Sequence, residues 1–165
     1  MRIIDSDILS YALYDRSPAH PYAWEVLKRG LLGEIEIYLT HTTILETYNV
    51  LFWFYRVRPL RNLLEKIRLV INELNVIKPS IDGINISLTE NIPLGDGFLI
   101  ATALENRIPI ILSNDSHITN KAPKYGLIVE NPIPKEVRKK MAKWKADPQQ
   151  DIQPKNRGLI HGLCK

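Results

Sequence analysis

Residues 109–112, Pro-Ile-Ile-Leu, are apolar without interruption, and Ser113-Asn114-Asp115 follows at once. A strand that alternated apolar and polar residues would have one wet face. A fully apolar strand is covered on both, as in parallel sheets flanked by helices. Similar short segments recur along the chain. Arg2–Asp5 is a short apolar strand ending on an acid, and Ile35, Ile37 and Leu39 alternate with Glu36 and Tyr38. Val76-Ile77 reads as a brief strand before Pro79, and Leu127-Ile128-Val129 as the last one. Helices fill the intervals: Ser6–Tyr14 with Ser6 as a possible cap, a second opened by Ser17-Pro18 and running to Gly33, and a long one from the polar start Thr40–Thr43 through about Tyr55. Another starts at Pro59, and a strongly apolar one follows the break at Gly95 and Asp96. Strands alternating with helices predict an α/β sandwich around a mainly parallel sheet.

In such a sheet ligands bind outside the carboxyl ends of the strands. Asp5 and Asp115 both stand there, each directly after an apolar strand. Glu46 lies among apolar neighbours within its helix, and Asp96 opens a helix that is otherwise almost wholly apolar. Singly, each acid has an ordinary explanation. Asp5 and Asp115 could cap the helices after them, Asp96 could answer a helix dipole, and Glu46 could pair with Arg56 or Arg58. Jointly they are harder to dismiss, because like charges converging on one edge repel unless a cation neutralises them. Hard divalent cations, magnesium or manganese, are the natural counter-charge for oxygen ligands. Asp7 has two readings, an acid that faces the site or one that merely solvates the first helix, and the second is favoured.

Other chemistries fit poorly. Four scattered histidines (His20, His41, His117, His161) and the single Cys164 give no zinc spacing, and neither a phosphate-binding glycine loop nor a G-x-S-x-G elbow occurs. No apolar run reaches the roughly 18 residues that span a bilayer. The start MRIIDSDIL does not read as a signal peptide, so a cytoplasmic protein without membrane attachment is expected.

IIDSDIL, TILETYNVL and LGDGFLIATALENRIPIILSNDSHI together resemble the PIN domain, the nuclease fold of the VapC-type toxins. The family's first motif, an apolar strand with Asp and a small hydroxyl residue, is matched by Asp5 and Ser6. Its lone helical Glu is matched by Glu46. Its Asp opening an alanine-containing helix is matched by Asp96, and its strand ending in Thr/Ser-x-Asp by Ser113 and Asp115. The resemblance covers residues 2–130. It implies a three-layer sandwich in which Asp5, Glu46, Asp96 and Asp115 hold one or two Mg2+ or Mn2+ ions for hydrolysis of an RNA phosphodiester. Ser6 and Ser113 would orient carboxylates or contact phosphate. A homodimer and a small antitoxin partner are further implications. One departure is visible: many relatives carry another acid after the last Asp, where Ser116, His117 and Ile118 stand here.

Two rivals are weighed against this. Asp5-Ser6-Asp7 and Gly95-Asp96-Gly97 imitate motifs of haloacid-dehalogenase-type phosphatases, but there the Gly-Asp motif follows an apolar strand, and here Glu90-Asn91-Ile92-Pro93 precedes it. A non-catalytic PIN-like module binding RNA or protein is the other, and the full complement of acids argues against it.

Charge is divided unevenly along the chain. From Pro134 onward nine Lys and Arg face three acids, a balance of +6, which leaves −2 for residues 1–133 of a chain whose total is +4. The chain is accordingly read as a nuclease domain over 1–133, a basic helix over 134–146 docked on it through Val137, Met141 and Trp144, and a flexible tail over 147–165. Lys135, Lys139, Lys140 and Lys143 are candidate RNA contacts, since basic clusters are necessary but not sufficient for polyanion binding. Arg56, Arg58, Arg61 and Arg68 form a second candidate patch. Phe52 and Trp53 read as core or dimer contacts.

Overall fold

Ile3 and Ile4 are both wholly buried, yet they belong to different cores. Successive strand residues point to opposite faces, so this pair requires apolar cover above and below. In the computed structural model, which describes residues 1–144, their strand is the middle of a five-stranded sheet. The strands are β1 (Arg2–Ile4), β2 (Ile37–Thr40), β3 (Asn75–Ile77), β4 (Ile110–Leu112) and β5 (Ile128–Glu130). Their order is β3-β2-β1-β4-β5 and every pairing is parallel. The chain builds outward from β1 on one side, then returns to β1's other flank with β4. The carboxyl ends of β1 and β4 are therefore the switch point where open α/β sheets place their ligand crevice.

One face is covered by α1 (Ser6–Leu13), α2 (His20–Leu31), α3 (His41–Asn49) and α4 (Leu60–Glu73), with Ile4, Leu39 and Leu112 below them. The other is covered by α5 (Gly83–Glu90), α6 (Leu94–Glu105) and α7 (Ser116–Lys121), over Ile3 and Ile111. Burying each such isoleucine is worth roughly 2–3 kcal/mol, so the two cores hold the short strands where their own hydrogen bonds could not. α8 (Lys135–Lys143) packs Val137 and Met141 against the first core, as does Trp144 beyond it. The three-layer α/β architecture read from the sequence is what the chain adopts. No helix among the described residues is long and apolar enough to cross a membrane.

Some elements differ from expectation. Ser17-Pro18 forms a turn ahead of α2, with the Ser17 hydroxyl accepting the Ala19 N–H at 3.2 Å, so the helix starts later. The helix expected to run to Tyr55 changes to a π-helical turn at Val50–Phe54. That shift rotates the aromatic run: Phe52 packs on the core, while Trp53 is 66% exposed and is not a core residue. Residues 145–146 of the expected basic helix, and the tail over 147–165, lie outside the described residues.

α5 was not anticipated, because Gly-Ile-Asn-Ile-Ser-Leu-Thr-Glu has little intrinsic helix preference. It forms because α6 approaches it closely. A Cβ at Gly83 would run into the backbone of Phe98, and that backbone, inside a helix, has nowhere to go. Gly83→Ala should thus cost about 2 kcal/mol and lower the melting temperature by roughly 5 °C. An unchanged melting temperature would mean that the two helices are free to separate.

Candidate active site

The β1–β4 pairing sets Ile3 opposite Ile111 and Ile4 opposite Leu112, and the Asp5 N–H donates to the Leu112 carbonyl at 2.9 Å. Asp5 and Ser113 are therefore the first residues beyond the paired strands on the same edge. Both chains turn into helices there, and each turn uses its acid as a cap: Asp5 accepts the Ser6 N–H at 2.7 Å, and Asp115 accepts the His117 N–H at 2.6 Å. The capping explanation is thus correct, but it uses only one oxygen of each.

Serine hydroxyls connect the acids. Ser113, wholly buried, donates to Asp5 Oδ2 at 2.6 Å and accepts the Asp115 N–H at 3.0 Å. Ser6 donates to Glu46 Oε2 at 3.0 Å. Glu46 reaches the site because Thr40, at the end of β2, caps α3 by accepting the Thr43 N–H at 3.1 Å, and Glu46 comes round a turn and a half later. Among the described residues Glu46 forms no ion pair with Arg56 or Arg58. Arg58 instead lies over the Phe52 ring at 3.6 Å and donates to the Phe52 and Val57 carbonyls.

Asp96 is in the first turn of α6, next to Gly95. Gly95 does not break the chain; it is a helical residue whose missing Cβ leaves room for the Glu46 carboxylate. Asp96 Oδ2 is buried and has no hydrogen-bond partner among the described residues. An orphaned carboxylate oxygen is costly, and the group responds by holding its proton: burial first, then the charges of Asp115, Asp5 and Glu46, push its pKa up to about 7. Asp5 is pushed up to about 6 by burial, against the hydrogen bonds from Ser113 and Ser6, with the charges of Glu46 and Asp115 adding to the rise. No ion pair with Lys or Arg engages Asp5, Glu46, Asp96 or Asp115 among the described residues.

Asp7 is a correction to the sequence reading. It does more than solvate the helix start: its oxygens accept the N–H groups of Ile8 at 2.6 Å and Asn114 at 3.0 Å, and its charge acts on the hydroxyls of Tyr11 and Tyr55. Burial raises its pKa well above the ordinary value, with the Asp5 charge adding. The signal available in the sequence was the spacing of two acids, one at the cap and one two residues on, both at the end of a buried strand.

The structure brings Asp5, Glu46, Asp96 and Asp115 within electrostatic reach of one another and interleaves them with Ser6 and Ser113. It does not collapse them: among the described residues, no group of three or more His, Cys, Asp or Glu side chains already stands in a ligating arrangement. Mutual repulsion between carboxylates accounts for that spacing. All-oxygen donors, an unpartnered buried oxygen and a local excess of negative charge fit a hard divalent ion. Lys135, Lys139, Lys140 and Lys143 are all exposed on α8, away from these acids in sequence and unpaired with them. Trp144 just beyond them packs against Tyr14 and Tyr55, ring centroids 6.0 and 5.7 Å away.

A family model described as the PIN domain matches residues 2–124, a span that contains all four acids. No curated protein is a significant sequence match. Among solved structures the fold is similar to VapC20 of Mycobacterium tuberculosis, described as a sarcin-ricin loop cleaving toxin. The TM-score is 0.57 at 11% identity, with 78% of this chain and 97% of that one covered. At that identity the likeness concerns the fold.

Proposed function

The chain belongs to the PIN domain family, and from that premise we propose that it is a metal-dependent endoribonuclease whose site is Asp5, Glu46, Asp96 and Asp115. The observation that carries the reading is Asp96 Oδ2, buried without a partner among three other carboxylates. Stability alone gives no reason to keep an acid there; a cation does.

Asp5, Glu46, Asp96 and Asp115 would hold one or two Mg2+ or Mn2+ ions. When bound, such a cation supplies Lewis acidity, making a nearby water a stronger nucleophile and offsetting charge on the phosphate oxygens. The residues do the rest. Ser113 fixes the rotamer of Asp5 through its 2.6 Å bond, and Ser6 fixes that of Glu46, so two acids are aimed before substrate arrives. Asp96 and Asp5, with pKa values of about 7 and 6, would hold the cation as carboxylates and so give up the protons they otherwise keep.

The substrate we infer is RNA, and the biological setting a toxin inhibited by a small antitoxin protein, working in the cytoplasm as a homodimer. The fold shared with VapC20, whose description is that of a toxin, supports this setting. Purified protein incubated with RNA should cleave it with Mg2+ or Mn2+ and stop on chelation. RNA that is bound but uncut with either metal would make the chain a binding module instead.

The basic helix should act on affinity. Exchanging Lys139, Lys140 and Lys143 for glutamate should weaken RNA binding about 10-fold or more. The slope of log affinity against log salt should fall by about 2, since fewer counterions are released. The maximal rate should hold, because among the described residues these lysines form no ion pair with the acids and would bind ground and transition states alike. Equal affinity and equal salt slope would leave the helix as a solvated surface.

A further inference from the structure

We propose that Asp7 is a positioning residue, a strut whose carboxylate sets the separation between the turn that carries Asp5 and the turn that carries Asp115. The inference rests on the reading of those acids as a nuclease site. Asp7 begins α1 two residues after Asp5. Its Oδ1 accepts the N–H of Ile8 in its own turn at 2.6 Å, and its Oδ2 accepts the N–H of Asn114, on the turn after β4, at 3.0 Å. One short, rigid side chain thus joins the β1–α1 turn to the β4–α7 turn. Charge-assisted bonds of this kind are about twice as strong as neutral ones.

Asn114 is held from its other side as well. Its Oδ1 accepts from Asn131 Nδ2 at 2.9 Å. Asn131 is fixed in turn, its Oδ1 accepting the Ile133 N–H at 3.0 Å. The next residue after Asn114 is Asp115, whose own N–H is tied through Ser113 to Asp5. Two parallel ties therefore cross the switch point: one through the Ser113 hydroxyl and one through Asp7 and Asn114. Together they leave the two proposed ligand acids little freedom in relative position.

The alternatives do not account for these bonds. An acid that merely favours a helix start engages its own turn alone, whereas Asp7 also accepts the N–H of Asn114, 107 residues on. Each oxygen of Asp7 accepts a backbone N–H, one from its own turn and one from the turn after β4, which is the arrangement a strut between the two turns requires.

Asp7→Asn tests the strut with little change of size. The amide oxygen can accept one of the two N–H groups, but the NH2 presents a donor to the other, so one attachment is lost. Outer partners that orient metal ligands are typically worth 10–100-fold in metal affinity. In Asp7→Asn, Mn2+ affinity by calorimetry should fall about 10-fold or more. The kcat at saturating Mn2+ should fall at least about 10-fold, with KM for RNA within about twofold. Asn131→Ala loosens the same tie from its far side and should shift Mn2+ affinity and kcat in the same direction by a few-fold; it carries the test if Asp7→Asn fails to fold. Loss of Mn2+ binding in Asp7→Asn as complete as in Asp96→Asn would make Asp7 a ligand and overturn the proposal. A lower melting temperature with unchanged Mn2+ affinity and kcat would reduce Asp7 to a structural acid and overturn it too. Wild-type protein that binds no Mn2+ overturns the nuclease reading and this inference with it. Wild-type protein that binds and cleaves, with both variants equal to it, overturns the inference alone.

Discussion

Asp96→Asn is expected to abolish magnesium- and manganese-dependent RNA cleavage while leaving the metal-free protein folded and, above neutral pH, more stable than wild type. The two halves of this result have one cause. Asp96 lies in the first turn of α6 with one oxygen buried and unpartnered, facing the charges of Asp115, Asp5 and Glu46. Its pKa is about 7 in the fold against 3.8 for an ordinary aspartate. A carboxyl whose folded pKa is raised contributes stability that is fully present below the unfolded value and is lost as pH rises through the folded one. The metal-free wild type should therefore lose stability between about pH 4 and pH 8. The asparagine variant carries no ionisable group there and escapes that part of the loss. Because Asp96 is only partly buried, solvent screening reduces the gain to on the order of 1–2 kcal/mol. Melts with chelator at pH 5 and pH 8 measure it. The stability difference should be larger at pH 8, in the variant's favour. A variant destabilised equally at both values would show that Asp96 is a structural acid, and undiminished cleavage would remove it from the mechanism.

Gly95→Ala should cost about 100-fold in kcat with a melting temperature within about 2 °C of wild type. A methyl group at this position runs into the Glu46 carboxylate, the far end of a flexible side chain, and not into rigid backbone. The fold can accommodate it by swinging Glu46 aside, and alanine is the better helix former by up to about 1 kcal/mol. The site cannot accommodate it so easily: Glu46 leaves the position in which Ser6 holds it at 3.0 Å. Displacing one proposed ligand by about 1 Å is enough for a rate loss of that order. This contrasts with Gly83→Ala, where the obstruction is the Phe98 backbone and stability should fall instead. Full activity in Gly95→Ala would mean that Glu46 is dispensable. A collapse of the melting temperature would mean that α3 and α6 are locked together more tightly than one side chain explains.

What could be read from the sequence was whatever rests on burial of strands. Pro109–Leu112 had to lie between two apolar layers, and β4 does, with Ile111 in one core and Leu112 in the other. Once that strand and Arg2–Ile4 are parallel neighbours, Asp5 and Asp115 must share an edge, and they do. What could not be read depends on contacts between segments distant in the chain. Nothing local in residues 83–90 favours a helix; α5 exists because Gly83 admits α6 so closely. Nothing local distinguishes Asp7 from a solvating acid, since its partner is Asn114, 107 residues away. The π-helical turn at Val50–Phe54 was hidden for a related reason: the apolar spacing is compatible with a continued α-helix, and only packing selects between them. Gly95 looked like a break because a glycine's role in making room for another helix's side chain leaves no trace in its neighbours.

The most direct test is titration of the wild-type protein with Mn2+ by calorimetry, at pH 6.5 and pH 8.5, in buffers of different ionisation enthalpy. Carboxylates that hold protons because they are buried among like charges must release them when a cation binds. The Asp96 and Asp5 values of about 7 and 6 place that release largely at the lower pH. Expected are saturable binding of one or two ions per chain, tighter at pH 8.5, with net proton release at pH 6.5 that is nearly absent at pH 8.5 and reduced in Asp96→Asn. Absence of binding at both pH values, or binding that Asp96→Asn leaves unchanged in affinity and proton count, would contradict a four-carboxylate metal site.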